Sequence, residues 1–178
     1  TSEFSAQVAA TPPNAAPVAN DVSASGDEDA AQIAIALTGS DDEGPVASFR
    51  LASLPADGLL YTDPGLTLVA AVGTNYPAAG NALTLYFRPN PNWSGTTAFQ
   101  FTATDAGGLD DATAATATIS VAAVNDAPSA NDVIVNGNED DPSIAITLTG
   151  SDVEGPVASF RLASLPANGT LFTDAALT

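Results

Sequence analysis

Cysteine, histidine, methionine and lysine are all missing from these 178 residues. Their absence removes thiolate nucleophiles, imidazole bases, Schiff-base lysines and the usual nitrogen and sulfur ligands of zinc. A pair of carboxylates is the one familiar hydrolytic device left. Without cysteine no disulfide staples the fold, so an extracellular module built from this chain needs another source of stiffness. Positive charge is scarce as well. Three arginines (Arg50, Arg88, Arg161) stand against 21 acids, for a net charge of -18. Such a chain repels phosphates and anionic bilayers, which sets aside nucleic acid and membrane insertion, and it attracts cations. No apolar run nears the roughly 18 residues of a membrane span, and no signal-peptide pattern is present. The chain lacks an initiating methionine and opens on "TSEF". Residues 1–15 are therefore expected to be a cloning remnant or the end of a preceding repeat.

What is abundant points to a packed fold. Hydrophobic residues make up 45% of the chain, enough for a core and too many for a disordered tail. The chain also repeats itself. "GSDDEGPVASFRLASLPADG" starts at Gly39 and "GSDVEGPVASFRLASLPANG" at Gly150, an offset of 111 residues. At that offset Ala16–Thr67 aligns with Ala127–Thr178 without a gap, and 37 of the 52 pairs are identical. A period this long exceeds the roughly 20–50 residues of solenoid repeats and marks whole domains in tandem. Residues 16–126 are read as one complete repeat and residues 127–178 as the first half of the next.

Within a repeat the apolar residues alternate with period two. Ile33, Ile35 and Leu37 share one face of "QIAIAL", and Ile144, Ile146 and Leu148 share one face of "SIAITL". Leu83, Leu85 and Phe87, then Phe99, Phe101 and Ala103, then Ala117, Ile119 and Val121 follow the same rule. Segments rich in Thr, Val, Ile and aromatics with this period are half-buried strands. "SLPADG", "NPNWSG" and "DAGGLDD" supply turns between them. No helical period persists for three turns. About seven short strands in about 110 residues predict an all-β fold, an antiparallel sandwich of immunoglobulin-like type. Trp93 and Pro91 are expected to plug one end of it.

The acids gather at strand ends: Asp27-Glu28-Asp29, Asp41-Asp42-Glu43, Asp105 with Asp110-Asp111, and Asn125-Asp126. Laying strands alternately up and down sorts these clusters by end. Glu28, Asp29, Asn125 and Asp126 fall at the lower end of the first repeat, where Asp152 and Glu154 at the upper end of the next would meet them. Carboxylates this close repel by about 1 kcal/mol or more per pair at intermediate dielectric. A hard cation reverses the sign, and calcium accepts carboxylate, amide and carbonyl oxygens together. Ca2+ is therefore the expected cofactor at the junction, against the alternative of a solvated, salt-tolerant surface.

"AVNDAPSANDV", "GNEDDPSIAITLTGSDVEG" and "FRPNPNWSGTTAFQFTATDAGGLDDATAATATISV" together resemble the cadherin-like tandem repeats of giant bacterial surface adhesins, including the extender regions of RTX-type, type-I-secreted proteins. The resemblance runs from Ala16 to Thr178. It implies calcium between consecutive domains, with Glu28 ending the first strand, Asn125-Asp126 in the linker, and Asp152 and Glu154 in the next upper loop. Asp41 and Glu43 are the equivalents in the first repeat, and Asp105 belongs to its last upper loop. "RPNPNWSG" lacks an acidic motif found in animal cadherins, and Asn14-Ala15 stands where Asn-Asp is expected.

The leading expectation is a structural extender: a calcium-stiffened rod segment on the bacterial cell surface, holding an adhesive tip away from the cell for adhesion or biofilm formation. Its partners are neighbouring repeats of the same chain, and it is not an enzyme. The alternative is a carbohydrate- or protein-binding module using Tyr61, Tyr76 or Tyr86. A carboxylate-pair glycosidase is disfavoured, because the acids sit at domain ends. Ile144, Ile146, Phe160 and Leu162 would lie exposed in the half repeat. They are expected to pair with another molecule's half repeat, to pack on the first repeat, or to leave this part marginally stable.

Overall fold

A computed structural model describes residues 13–174 and 176; most of the 1–15 segment lies outside the described residues. The chain divides into two units, Thr1–Val124 and Asn125–Thr178. Among the described residues all regular structure is β.

The first unit is a sandwich of two sheets. One sheet orders β1 (Val18–Asn20), β3 (Ile33–Ser40), β7 (Ala82–Pro89) and β5 (Gly58–Tyr61) as β1-β3-β7-β5. The other orders β2 (Val22–Asp27), β9 (Ala115–Ala122), β8 (Gly95–Asp105), β4 (Val46–Leu51) and β6 (Asn75–Pro77) as β2-β9-β8-β4-β6. The period-two faces point inward as the alternation requires. Ile35, Leu37, Leu85, Phe87, Phe99, Phe101, Ala117 and Ile119 are essentially inaccessible, while Leu83 is only partly buried. Phe101 packs edge-on against Phe49 with centroids 5.8 Å apart, and Phe99 lies 6.2 Å from Phe101. Trp93 packs against this core. Pro91 is exposed, so only the tryptophan contributes to closing that end.

Two expectations about topology need correction. The unit has nine strands, because the first extended segment is divided between the sheets. β1 pairs antiparallel with β3, and after Asp21 the chain continues as β2 beside β9. That second pairing is parallel, Val22 facing Ala117 and Asp27 facing Ala122, so the sandwich is not wholly antiparallel. The cause is local. The chain keeps its direction while changing sheets, and the Asp21 carboxylate accepts the Thr116 N–H at 2.8 Å, which fixes the crossing strand to β9.

In the second unit, β10 (Ser129–Ala130) pairs antiparallel with β11 (Gly150–Ser151). The contacts reproduce those 111 positions earlier. Ala130 faces Gly150 as Ala19 faces Gly39, and the Asn131 amide donates to Thr149 Oγ1 at 3.1 Å as Asn20 does to Thr38 at 3.3 Å. The strand expected at "SIAITL" is not formed. In the first unit its counterpart pairs along β7 from Ile33↔Phe87 to Thr38↔Ala82, and no residues of the second unit correspond to β7.

Candidate functional site

At one end of the first unit the entering chain is tied to two acidic loops. Asn14 Nδ2 donates to Asp105 Oδ2, and the Ala15 N–H donates to Glu43 Oε2 at 3.2 Å. The Glu43 N–H in turn donates to Asp41 Oδ1 at 3.4 Å. Asp105 is buried, and its other oxygen accepts the Leu109 N–H at 2.8 Å. The Asn14 amide first, then the backbone N–H of Leu109, outweigh the cost of burial and hold the Asp105 carboxyl below the usual range. Asp41, Glu43 and Asp105 are thus joined through Asn14-Ala15.

The rest of that acidic cluster has a structural job that sequence reasoning missed. Asp111 is buried, accepts the Ala19 N–H at 2.7 Å and accepts the Thr113 N–H at 2.9 Å. It therefore binds the first strand to the loop before β9. Asp110 accepts from the Thr104 hydroxyl at 2.7 Å and lies 3.8 Å from Arg50. An apolar or small residue expected at a loop-to-strand boundary, but replaced by Asp and followed two positions later by Thr, is the only sequence cue to the Asp111 role.

At the opposite end of the unit, Glu28 is buried. Its N–H donates to the Ala122 carbonyl at 3.0 Å, and its carboxylate accepts the Val124 N–H at 2.7 Å. Glu28 is thereby held one residue before Asn125. Asp29 is exposed.

In the second unit, Asn125 Nδ2 donates to the Asp126 carbonyl at 2.8 Å, and the Asp126 N–H donates to Glu154 Oε2 at 3.0 Å. This last bond is the Ala15–Glu43 contact 111 residues on, with Asp in place of Ala at the donor position. Two oxygens stand out. Asp126 Oδ2 and Asp152 Oδ1 are buried without a hydrogen-bond partner. A buried carboxylate oxygen with no donor is costly, and a cation is one remedy for it. The donor set of Asp126, Asp152 and Glu154 therefore fits a hard cation in its chemistry. Among the described residues no group of three or more carboxylates is already drawn into a metal-binding cluster.

Aromatic side chains offer no comparable surface on the first unit. Tyr61 is buried, Tyr76 and Tyr86 are half-buried, and the Tyr76 hydroxyl accepts the Ala71 N–H at 2.7 Å.

No family model and no curated protein matches the chain. Among solved structures it is distantly similar to a conjugate transposon protein from Bacteroides vulgatus, with 13% identity over 64% of this chain and 90% of that one, at a TM-score of 0.39. It is also similar to the N-terminal domain of PorA, with 17% identity over 60% of this chain and 96% of that one, at a TM-score of 0.33. Likeness at this level assigns no family.

Proposed function

We propose that this chain is a structural extender, a run of 111-residue immunoglobulin-like (cadherin-like) repeats in a large bacterial surface adhesin, stiffened outside the cell by Ca2+. The observation that carries the reading is the pair of buried, unpartnered oxygens on Asp126 and Asp152, in a segment whose counterpart recurs 111 residues away. Asp126, Asp152 and Glu154 would hold the ion from the second repeat, with the Asn125 amide. Glu28 and Asp29 would contribute from the first, since Glu28 is anchored to the residue that precedes Asn125. Calcium supplies the positive charge that turns mutual carboxylate repulsion into a shared attachment. The chain's own residues set the geometry: the Glu154–Asp126 backbone bond orders the linker, and the Glu28–Val124 bond fixes where it leaves β9. Asp41, Glu43 and Asp105 form the matching upper end of the first repeat. There Ala15 replaces the linker aspartate, so that end is the weaker ion site.

A spacer needs length and stiffness, and near-identical repetition serves both. The ligand-binding alternative is less well supported, because the tyrosines it would use are buried or half-buried. Small-angle X-ray scattering of the full chain, in millimolar calcium and in chelator, tests the proposal. A longer maximum dimension and a narrower conformational spread in calcium are expected. Superimposable curves would refute stiffening by calcium.

A further inference from the structure

The first unit shows what covers an apolar face that the second unit leaves open. Ile33, Ile35, Leu37, Phe49, Leu51 and Leu60 are at most 4% exposed. Their identical counterparts Ile144, Ile146, Leu148, Phe160, Leu162 and Leu171 are 39–53% exposed. In the first unit β7 covers this set by pairing with β3 and β5, while β8 pairs with β4 and β9 closes the opposite sheet. The frame around the face is already set in the second unit. A Cβ built on Gly150 would lie 3.4 Å from the Phe160 ring, against 3.3 Å for Gly39 and Phe49. One built on Gly137 would meet Ile144 at 2.5 Å, against 2.6 Å for Gly26 and Ile33. The glycines let these side chains close over the backbone in both units.

We infer that the apolar face of residues 127–178 is a docking surface for a polypeptide segment with the three-strand pattern of Ala82–Ala122. An intact second copy is a poor occupant. Its own β7–β9 already cover residues 16–67, so an exchange uncovers one set of apolar side chains for each set it covers. The same chain cannot supply the segment either. Beside β9, the stretch from Val18 to Asp27 spans about nine steps of roughly 3.3 Å, about 30 Å. The connection from Ala122 to Ser129 reaches about 25 Å at full extension. The inference goes beyond the extender reading and does not depend on calcium.

The test titrates a separately produced, fluorescently labelled segment Leu68–Asp126 into the full chain in chelator, followed by anisotropy and circular dichroism. Saturable one-to-one binding with a gain of β signal is expected. Ile146→Asp places a charge on the apolar face and weakens binding by about tenfold or more. Thr147→Asp adds the same charge one residue along, at a position whose counterpart Ala36 is exposed, and leaves binding unchanged. Absence of saturable binding would overturn the inference, as would equal losses in the two variants. Undiminished binding to Ile146→Asp would mean that the segment exchanges into the first unit instead. Dimers of the chain alone that Ile146→Asp dissolves would make a second copy the occupant, and would also overturn it.

Discussion

Asp111→Ala removes a small carboxylate and loosens the seam where the first strand meets the β8–β9 loop. Asp111 accepts the N–H of Ala19 at 2.7 Å, the N–H of Thr113 at 2.9 Å and the Thr113 hydroxyl at 3.3 Å. Thr113 is exposed, so water replaces most of what it loses. Ala19 is buried, and its N–H would be left without an acceptor. Hydrogen bonds to charged groups contribute about 1.5–3 kcal/mol, and an orphaned buried donor costs about 1–3 kcal/mol. The expected loss is about 2–4 kcal/mol, or a fall in Tm of about 8–16 °C for a folding unit of this size. Asp111→Asn keeps an acceptor of the same shape and is expected to cost about 1 kcal/mol. Trp93 is the only tryptophan and packs against this core, so its fluorescence in urea or on heating reports on the first unit alone. Asp110→Ala is the neighbouring control; its Arg50 pair is half-exposed and is worth under about 1 kcal/mol. The reasoning fails if Asp111→Ala lies within about 0.5 kcal/mol of the parent chain, or if Asp110→Ala is equally damaging.

Other consequences follow from the same contacts. Asp105 has a depressed carboxyl pKa in the folded chain, so its contribution is fully present above the ordinary carboxylate value near pH 4 and is lost as pH falls through the folded value. Acid unfolding followed at Trp93 is expected to flatten in Asp105→Asn within that low-pH window and to be unchanged at neutral pH except for a constant offset. Gly58→Ala would set a Cβ 2.4 Å from the Phe87 ring and 2.5 Å from the Arg88 carbonyl. A loss of about 1–3 kcal/mol in urea unfolding is expected, against none for Gly44→Ala, where nothing lies within 4 Å. Glu28→Gln retains an oxygen for the Val124 N–H, so its Tm in chelator stays near that of the parent chain. The calcium-induced rise in Tm is expected to fall by about half or more in this variant.

Strand faces were legible because period two forces every other side chain to one side. Ile33, Ile35 and Leu37 are buried where the alternation puts them, as are Phe99, Phe101 and Ala103. Turn positions were legible for a similar reason. Asp57, Asn81 and Asn92 take positive φ of 60°, 65° and 57°, which short polar side chains tolerate. Sheet membership was not legible. "VANDV" carries the same alternation whether it stays in one sheet or crosses at Asp21, and only the Asp21–Thr116 bond decides the matter. The acids were legible as clusters but not as individuals. Asp105, Asp110 and Asp111 lie within seven residues, yet one holds the entering chain, one meets Arg50 and one secures β1. Spacing alone does not separate these roles, because each partner comes from a distant part of the chain.

The central claim is that the native chain binds calcium through its linker acids. The most direct measurement is a thermal melt of the full chain in millimolar calcium, in chelator, and in magnesium at the same ionic strength. The account predicts a rise specific to calcium, equivalent to about 2.7 kcal/mol when the ion is at a hundred times its Kd, and its loss in Asp126→Asn and Asp152→Asn. An unchanged melting curve, or an equal rise in magnesium, would contradict it and leave the acids as a solvated surface.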